Sequence, residues 1–387
     1  MRILSITGNR ADYDLMSYLY KYFNQDPDID FRLIVTGAHL TLGYEKSLQD
    51  IYADGNNVAA EIENILNSDT NSSRAKSTAI LLSALTDLVK QIKPDVMIAP
   101  GDREEVICTA VVCAYMDIPF LHFFGGDYAV SGHVDNLVRH AASKMATAHF
   151  VATDEHVQRL LSLGEERSRI FKTGSVALDK FSEEPWITRE ELLSRLGREN
   201  FGNYALLIYH PPAEITGRNR EIETVLETLK EKKIHTIVSY PNTDFNSSEI
   251  IRVYQRYMDD PCFYFYRNLD RNTFINLYRH ADFQIGNSSS GVAEAASVPL
   301  PVINIGTRQK NRGNVDNVIF VEHVDDHLSE VIDRAMSPEY RESIKNVVNI
   351  YGDGTSSRKA YEIIKNTDFR GMIRKLYDPI IHGGNEQ

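Results

Sequence analysis

Five segments of this chain carry residue types that can move protons or bind anions. Each follows a short apolar run that is typical of a buried strand. Parallel strands bring their carboxyl ends to one edge of a sheet, where ligands bind, so we expect these segments to converge. In chain order they are residues 8–13, 100–105, 122–140, 210–212 and 286–294.

Two of the segments hold carboxylates suited to general acid–base chemistry. Asp102 follows the turn glycine Gly101 in the run PGDREE, at the end of a strand. Asp102 could equally be the N-cap of the next helix, where the helix dipole favours acids. A helix starting near residue 134 would put Asp135 and Arg139 on one face, as part of a site or as a surface ion pair. The nearby histidines lack a metal-binding spacing such as HExxH, so no metal is expected.

Two other segments could bind a phosphate group. Arg10 lies in a turn from the first strand into a helix, where backbone N–H groups also bind anions. The turn lacks the GxGxxG pattern, so a dinucleotide cofactor is not expected. His210, followed by two prolines, lies in a rigid turn and could donate to phosphate or transfer a proton. An ordinary turn with a solvated arginine, and a structural histidine, are the alternatives.

The strongest phosphate signal is GNSSSGVAE at residues 286–294, where small residues open a helix. Ser288 and Ser289 add hydroxyl donors, and Glu294 could accept hydrogen bonds from ribose hydroxyls. Arg308, in GTRQKNR after the next strand, adds a basic donor. A serine-rich N-cap followed by a glutamate is the structural alternative. A serine nucleophile is disfavoured because GxSxG is absent.

Short β-prone runs alternate with helical patterns along most of the chain, which predicts βαβ units and mostly parallel sheets. The 387 residues exceed the roughly 250–300 that one core usually holds, so two domains are expected. Residues 54–76 are predicted to form a mobile surface segment with some helix, and the tail to be helical up to 365 and again over 372–377. The predicted strands are residues 2–7, 31–36, 95–99, 119–123, 204–209, 236–239, 263–266, 283–285 and 302–305.

The amino-acid composition indicates which classes of partner and which cellular compartment suit the protein. Forty-two basic and 54 acidic residues give a net charge of −12, which argues against nucleic acid and anionic membranes. No apolar run reaches the roughly 18–20 residues of a membrane helix, and the start does not resemble a signal peptide. Three cysteines, an odd number without metal-type spacing, suit a reducing compartment, so a cytoplasmic location is expected.

Taken in order, the segments resemble the hydrolysing UDP-N-acetylglucosamine 2-epimerases, in the branch that supplies N-acetylmannosamine for sialic acid. The resemblance implies an α/β, GT-B-like fold of two Rossmann-like parallel-sheet domains facing a central cleft. Its expected parts are residues 1–180, 181–355 and a returning helical tail, 356–387. It also implies a homo-oligomer, dimer or tetramer, with no cofactor. The matching stretches are TGNRADYDL, TGAHL, GDREE, HFFGGD, VDNLVRHAASKMATAHF, YHP, SYPN, IGNSSSGVAEA and INIGTRQKNRG.

The resemblance also implies a role for each site residue. The diphosphate and ribose would be held by Ser288, Ser289 and Glu294, and phosphate also by Arg10 and His210. Arg103 would face the cleft, Asn242 and Arg308 would line the nucleotide, and His210 would also act in catalysis. Asp102 corresponds to a catalytic carboxylate, with Asp135 and Arg139 on the helix beside it. Two departures are Phe124, where many relatives carry glutamate or histidine, and Asn136, where several carry a second acid.

The implied reaction converts UDP-N-acetylglucosamine and water into N-acetylmannosamine and UDP. It proceeds by anti elimination to 2-acetamidoglucal and then hydration. The nearest alternative substrate is a nucleotide-linked 2,4-diacetamido-2,4,6-trideoxyhexose, whose deoxy carbon would suit an apolar wall formed by Phe123 and Phe124. A GT-B glycosyltransferase and a nucleotide-sugar-binding protein are more distant alternatives.

Overall fold

The computed structural model describes residues 1–41, 45–68, 70–128, 134–211, 219–241, 247–267, 269–309, 312, 316–324 and 327–378. The chain divides into two compact units. The described residues up to Asp179, together with those from Gly354 onward, form the first unit, and those from Lys180 to Asp353 form the second. Within these described ranges, every helix is too short or too polar to cross a membrane.

The first unit is built around a seven-stranded, wholly parallel sheet. Its strands are β1 (Arg2–Thr7), β2 (Asp30–Thr36), β3 (Val58–Ile62), β4 (Val96–Pro100), β5 (Phe120–Phe123), β6 (Ala148–Val151) and β7 (Ile170–Lys172), in the order β3-β2-β1-β4-β5-β6-β7. Its helices up to Asp179 are α1 (Arg10–Gln25), α2 (Glu45–Ala53), α3 (Asn71–Ile92), α4 (Glu104–Tyr115), α5 (Val134–Met145) and α6 (Asp154–Ser162).

The second unit repeats this plan with six parallel strands. They are β8 (Tyr204–Ile208), β9 (His235–Ser239), β10 (Phe263–Tyr266), β11 (Phe283–Gly286), β12 (Val302–Ile305) and β13 (Val318–Val321), in the order β10-β9-β8-β11-β12-β13. The helices are α7 (Lys180–Glu183), α8 (Arg189–Arg195), α9 (Asn219–Glu231), α10 (Ser247–Gln255), α11 (Arg271–His280), α12 (Ser289–Ala293), α13 (Leu328–Met336) and α14 (Pro338–Ile344). The predicted fold class, α/β with two Rossmann-like parallel-sheet domains, is confirmed.

Burial explains why these runs form parallel strands. Every residue of β4, β5, β6, β8, β11 and β12 is buried, as expected for strands covered by helices on both faces. Such strands read as continuous apolar runs, and five of these six are predicted from the sequence. The short strand β6, which carries His149, was missed, as were the edge strands β7 and β13, in which only Ile170 is buried.

Each sheet contains one point at which the strand order reverses. In the first unit, β1 pairs with β4, and in the second, β8 pairs with β11. Parallel sheets bind ligands outside the carboxyl ends of such neighbouring strands. The segments that follow these four strands are four of those that the sequence analysis selected for their chemistry.

The segment 54–76 contains the helix that was predicted, but it also contains a strand that was not. It contains the edge strand β3, which pairs with β2, and the beginning of α3. The Thr36 hydroxyl strengthens this edge by donating to the Ile62 carbonyl oxygen at 2.6 Å. Only Ile62 in β3 is buried, so the run lacks the apolar pattern that marks the inner strands.

The second tail helix, expected over 372–377, is also wrong. A single 3-10 turn, Arg370–Met372, is followed by non-helical chain up to residue 378. The guanidinium of Arg169 donates to the carbonyl oxygens of Met372 and Arg374, the latter at 2.8 Å. These carbonyls are thus bound by a side chain and not by helical N–H groups.

The chain returns to the first unit through α15 (Ser356–Asn366), whose start is held by a buried carboxylate. Asp179, 3% exposed, accepts from the backbone N–H groups of Ser356 at 3.0 Å and Ser357 at 2.6 Å. Farther along α15, Lys365 donates to Asp26 at 2.6 Å. The negative charge of Asp179 lies at the positive end of the helix dipole, which favours this arrangement.

We expect Asp179→Ala to lower the free energy of unfolding by about 2–4 kcal/mol, because two buried N–H groups lose a charged acceptor. Urea denaturation followed by circular dichroism measures this loss. The control is Asp154→Ala, whose side chain is 81% exposed and pairs with Lys172, with an expected change within about 0.5 kcal/mol. Equal losses in the two variants would contradict the role of Asp179.

Candidate active site

In the first unit, the turn after β1 packs against the first turn of α4. A Cβ added at Gly8 would lie 1.8 Å from Oε1 of Glu105, so a larger residue would displace this carboxylate. Asn9 caps α1: its side-chain oxygen accepts from the Asp12 N–H at 3.0 Å, and its amide donates to the Asp12 carboxylate at 2.6 Å. Arg10, partly buried, is the first residue of α1 and lies at the carboxyl end of β1.

Asp102 lies in the turn between β4 and α4. Gly101 before it adopts a φ of 85°, which favours glycine, and Arg103 is the N-cap residue of α4. Asp102 is therefore not the N-cap, and that alternative is wrong. Its carboxylate, 24% exposed, forms an ion pair with the guanidinium of Arg139, 5% exposed.

Arg139 reaches Asp102 from α5. Its Nη1 also donates to the Asp127 carbonyl oxygen and to the Asn136 side-chain oxygen, both at 3.2 Å. Asp135, on the same helix, is 37% exposed and lies 3.9 Å from a guanidinium nitrogen of Arg74. Arg139 is thus a buried partner of Asp102, and the alternative of a solvated surface helix does not describe it.

Burial of the acids around this turn favours their protonated forms. Burial raises the pKa of Asp102 above its usual value, and the charges of Asp135 and Asp127 raise it further, whereas Arg139 lowers it. Burial likewise raises the pKa of both Asp12 and Glu105. A carboxylate with a raised pKa is a stronger base when it is ionised, so Asp102 suits proton abstraction.

Arg103 remains cationic beside these acids. Its side chain is 53% exposed and lies 3.9 Å from Glu104. Burial lowers its pKa, but the charges of Glu105, Asp12 and Glu104 outweigh this effect, so the pKa is raised. Arg103 can therefore offer a permanent positive charge at the carboxyl end of β4.

Phe124 follows β5 with a φ of 62°, a conformation that bulky residues rarely adopt. Its N–H donates to the Phe150 carbonyl oxygen at 3.1 Å, and the side chain is partly exposed. Phe123, in contrast, is 2% exposed and stacks on Phe150 with ring centroids 4.7 Å apart. The expectation that both phenylalanines line the sugar is therefore wrong for Phe123, whereas Phe124 packs against the core and keeps part of its surface exposed.

In the second unit, the ends of β8 and β11 are joined by reciprocal hydrogen bonds. The His210 N–H donates to the side-chain oxygen of Asn287 at 2.7 Å, and the Asn287 amide donates to the His210 carbonyl oxygen at 2.8 Å. Gly286 permits this approach, since its φ is 140° and a Cβ there would lie 2.0 Å from the Ile208 oxygen. Burial, aided by the charge of Arg308, lowers the pKa of His210 to about 3, so the ring is neutral at pH 7.

The serines after β11 form a hydroxyl cluster at the start of α12. Ser288 is the N-cap, and its oxygen lies 2.8 Å from that of Ser290. Ser290 also accepts from the Tyr278 hydroxyl at 2.7 Å. Ser289 is exposed. The Ser290 hydroxyl is therefore hydrogen-bonded within the protein, whereas Ser289 is accessible.

Glu294 has a partner that the sequence analysis missed. Nζ of Lys180 lies 3.1 Å from Oε2 of Glu294, and the two side chains are 4% and 14% exposed. The two residues are 114 positions apart, and no motif marks Lys180. Only the path of the chain through α7 brings them together.

Of the two other residues that the resemblance assigns to the nucleotide, Arg308 and Asn242, the structure describes only Arg308. Arg308 is exposed after β12, and its neighbour Gln309 is buried and donates to the Asn287 carbonyl oxygen at 3.1 Å. Asn242 lies outside the described residues. Among the residues that the structure describes, no three histidine, cysteine or acidic side chains come close enough to hold a metal ion.

Comparisons with known proteins show the family of this chain and its fold. The chain is 35% identical to a UDP-N,N'-diacetylbacillosamine 2-epimerase (hydrolyzing) of Legionella pneumophila, covering 96% of this chain and 97% of that protein. It is 31% identical to a GDP/UDP-N,N'-diacetylbacillosamine 2-epimerase (hydrolyzing) of Campylobacter jejuni, covering 88% and 89%.

The fold is shared with the crystal structure of the Methanocaldococcus jannaschii UDP-GlcNAc 2-epimerase in complex with UDP-GlcNAc and UDP. The TM-score is 0.78 at 19% identity, covering 95% of this chain and all of that one, which supports the GT-B-like fold class. The family profile described as UDP-N-acetylglucosamine 2-epimerase matches residues 21–365. With nearly the whole chain matched, and with relatives above 30% identity, this protein belongs to the UDP-N-acetylglucosamine 2-epimerase family.

Proposed function

We propose that this enzyme hydrolyses and epimerises a UDP-linked 2,4-diacetamido-2,4,6-trideoxyhexose, releasing UDP and the free sugar inverted at C2. The observation that carries the proposal is the 35% identity, along 96% of the chain, to a hydrolysing epimerase named for UDP-N,N'-diacetylbacillosamine. That sugar belongs to the trideoxy class. This substrate replaces UDP-N-acetylglucosamine, which the motifs alone favoured, and the sialic acid branch with it.

Phe124 supports the same choice of substrate. Its ring is partly exposed at the end of β5, where a charged or hydrogen-bonding residue could have stood. A sugar methyl group at C6 loses little on contact with an aromatic ring, whereas a hydroxymethyl group would lose hydrogen bonds to water. The strained φ of Phe124 indicates that the fold holds this residue in place against a local preference.

The first chemical step is an anti elimination. Asp102 removes the proton from C2, the C1–O bond breaks, and its electron pair leaves with UDP, so that C1 and C2 become joined by a double bond. The C2 proton is weakly acidic, and a partly desolvated carboxylate is therefore needed as the base. Arg139 holds Asp102 in one orientation and keeps it ionised enough to act.

The departing UDP needs donors for its growing negative charge. In the proposal, Arg10 and Arg103 supply positive charge. His210 supplies an N–H as a neutral donor, since its low pKa prevents it from acting as a cation at pH 7. Phosphate, ribose and base are assigned to Ser288, Ser289, Glu294, Arg308 and Asn242.

The second step hydrates the glycal. Water adds its oxygen to C1 and loses one proton to solvent, while C2 receives a proton on the face opposite the one that lost it. Asp102 then releases to solvent the proton that it removed in the first step. Together these transfers invert C2 and regenerate the enzyme without net oxidation, so the proposed reaction needs neither a redox cofactor nor a metal. Asp135, more exposed than Asp102, is the proposed exchange group for solvent protons.

Arg139→Met is expected to move the acidic limb of the kcat/KM profile to higher pH. The base must be ionised, so kcat/KM falls as the pH drops through the pKa of Asp102. Arg139 lowers that pKa, and its removal therefore raises it. A pH series of initial rates measures the shift.

Arg32→Met is the control for this shift. Arg32 also pairs with an aspartate, Asp30 at 2.9 Å, but both residues belong to the amino-terminal part of β2, away from the carboxyl ends of the strands. Its pH profile should match that of the unmodified enzyme. If the acidic limb of the Arg139→Met profile stays in place or moves to lower pH, the ion pair with Arg139 does not lower the pKa of Asp102, and the prediction is wrong.

The substrate proposal is tested by steady-state kinetics on a panel of nucleotide sugars. We expect kcat/KM for UDP-N,N'-diacetylbacillosamine to exceed that for UDP-N-acetylglucosamine at least about tenfold, the scale of a modest difference in pocket fit. Phe124→His should reduce this preference, because it replaces the apolar wall with a polar ring. The GDP-linked sugar serves as the nucleotide control.

A tenfold preference for UDP-N-acetylglucosamine would contradict the proposed substrate and support the original prediction, in which the product is N-acetylmannosamine for sialic acid. Free nucleotide released without inversion at C2 would instead indicate simple hydrolysis. Transfer of the sugar to an added acceptor would indicate a glycosyltransferase, and UDP binding without any turnover would indicate a binding protein.

A further inference from the structure

One histidine ring joins the turn that carries Asp102 to the helix that carries Arg139. His122, on β5, is fully buried. Its Nε2 lies 2.9 Å from the Gly101 carbonyl oxygen, and its Nδ1 lies 3.0 Å from the Ser143 hydroxyl oxygen. The ring is therefore bound at both of its nitrogens.

These contacts fix the state of the ring. A carbonyl oxygen only accepts, so Nε2 carries the proton, and Nδ1 accepts from the Ser143 hydroxyl. Burial lowers the pKa of His122 to about 3, which keeps the ring neutral throughout the range in which an enzyme is usually assayed. The donor and acceptor roles of His122 are thus constant.

The two bonded groups are each next to the catalytic pair. Gly101 immediately precedes Asp102 in the chain, and its φ of 85° shapes the turn. Ser143 lies four residues after Arg139, and therefore on the same face of α5. The ring thus fixes the distance between the backbone that carries the carboxylate and the helix that carries the guanidinium.

The surrounding chain leaves room for this ring and little more. A Cβ added at Gly125 would lie 3.0 Å from the Ser143 hydroxyl oxygen and 3.1 Å from His122 Nδ1, closer than ordinary contacts. On its other side, the ring stacks on Phe120 with centroids 5.7 Å apart. His122 has little freedom to tilt away from its two partners.

We propose that His122 is a positioning residue that holds Asp102 and Arg139 in register for removal of the C2 proton. The inference rests on the proposed function, since the reaction is needed to detect the effect. His122 is fully buried and both of its ring nitrogens are bound within the protein, so we do not expect it to contact the substrate. Its loss should therefore lower kcat and leave KM nearly unchanged. A displacement of reacting groups by a fraction of an ångström is enough for such a loss.

Two substitutions separate the bond to Gly101 from the presence of a polar side chain. His122→Gln places an amide nitrogen near the position of Nε2 and can keep the donation to the Gly101 oxygen. His122→Asn is shorter, reaches only the position of Nδ1, and loses that donation. We expect kcat to fall about 10- to 100-fold in His122→Asn and less than about threefold in His122→Gln, with KM within about twofold in both.

His149 provides a matched control. It is the register partner of His122 on β6, is equally buried, and binds Glu165 at 2.9 Å instead of the Asp102 turn. His149→Asn should keep kcat within about twofold once rates are corrected for the folded fraction, measured by thermal denaturation. A loss of kcat as large as that of His122→Asn would overturn the proposal, because it would assign the effect to any buried histidine in this sheet.

Ser143→Ala keeps the ring and removes a single hydrogen bond, so the test does not depend on whether His122→Asn folds. We expect kcat about three- to tenfold lower with KM unchanged. Equal losses in the Gln and Asn variants, or an unchanged kcat in Ser143→Ala, would overturn the role of His122. Absence of turnover by the unmodified enzyme on every nucleotide sugar would refute the proposed function instead.

Discussion

The ion pair between Asp102 and Arg139 is the interaction on which the first unit's site depends. Withdrawing a carboxylate from water makes it a better base but also favours its protonated form, and a buried guanidinium opposes that tendency. Asp102 keeps about a quarter of its side-chain surface exposed, whereas Arg139 is almost fully enclosed. Asp102 is therefore accessible to a ligand while Arg139 stays fixed. The turn after β4, the helix α5 and the strand β5 hold the two residues in this geometry.

Both units carry polar groups at the carboxyl end of an apolar sheet, and both do so in the same way. In each, the reversal in strand order leaves two adjacent strand ends whose following loops diverge. Glycines let these loops approach closely, as at Gly8 against Glu105 and at Gly286 against Ile208. The first unit then presents carboxylates and arginines, and the second presents hydroxyls, a neutral histidine and a buried ion pair.

Sequence patterns were sufficient for every inner strand except β6, and for the loops that follow the strands at the two order reversals, because buried parallel strands are mostly continuous apolar runs. They were insufficient where tertiary contacts decide. The i,i+4 spacing suggested Asp135 as the partner of Arg139, but the arginine reaches back to Asp102 across 37 residues. The sequence around Lys180 and Glu294 gives no local signal of their pairing. The edge strand β3 is polar, so its sequence resembles that of a loop. The tail after residue 372 follows its hydrogen bonds to Arg169 and not its own helical pattern.

The central claim is that Asp102 removes the C2 proton and that C2 is then reprotonated from solvent. Its most direct test is turnover in heavy water with no added cofactor, followed by NMR of the product. The account predicts one deuterium at C2 of every product molecule from the unmodified enzyme. It also predicts that Asp102→Asn still binds UDP but forms product at least about 10²-fold more slowly, the scale of a lost general base. Product that keeps its original C2 hydrogen, or an Asp102→Asn enzyme with full activity, would contradict it.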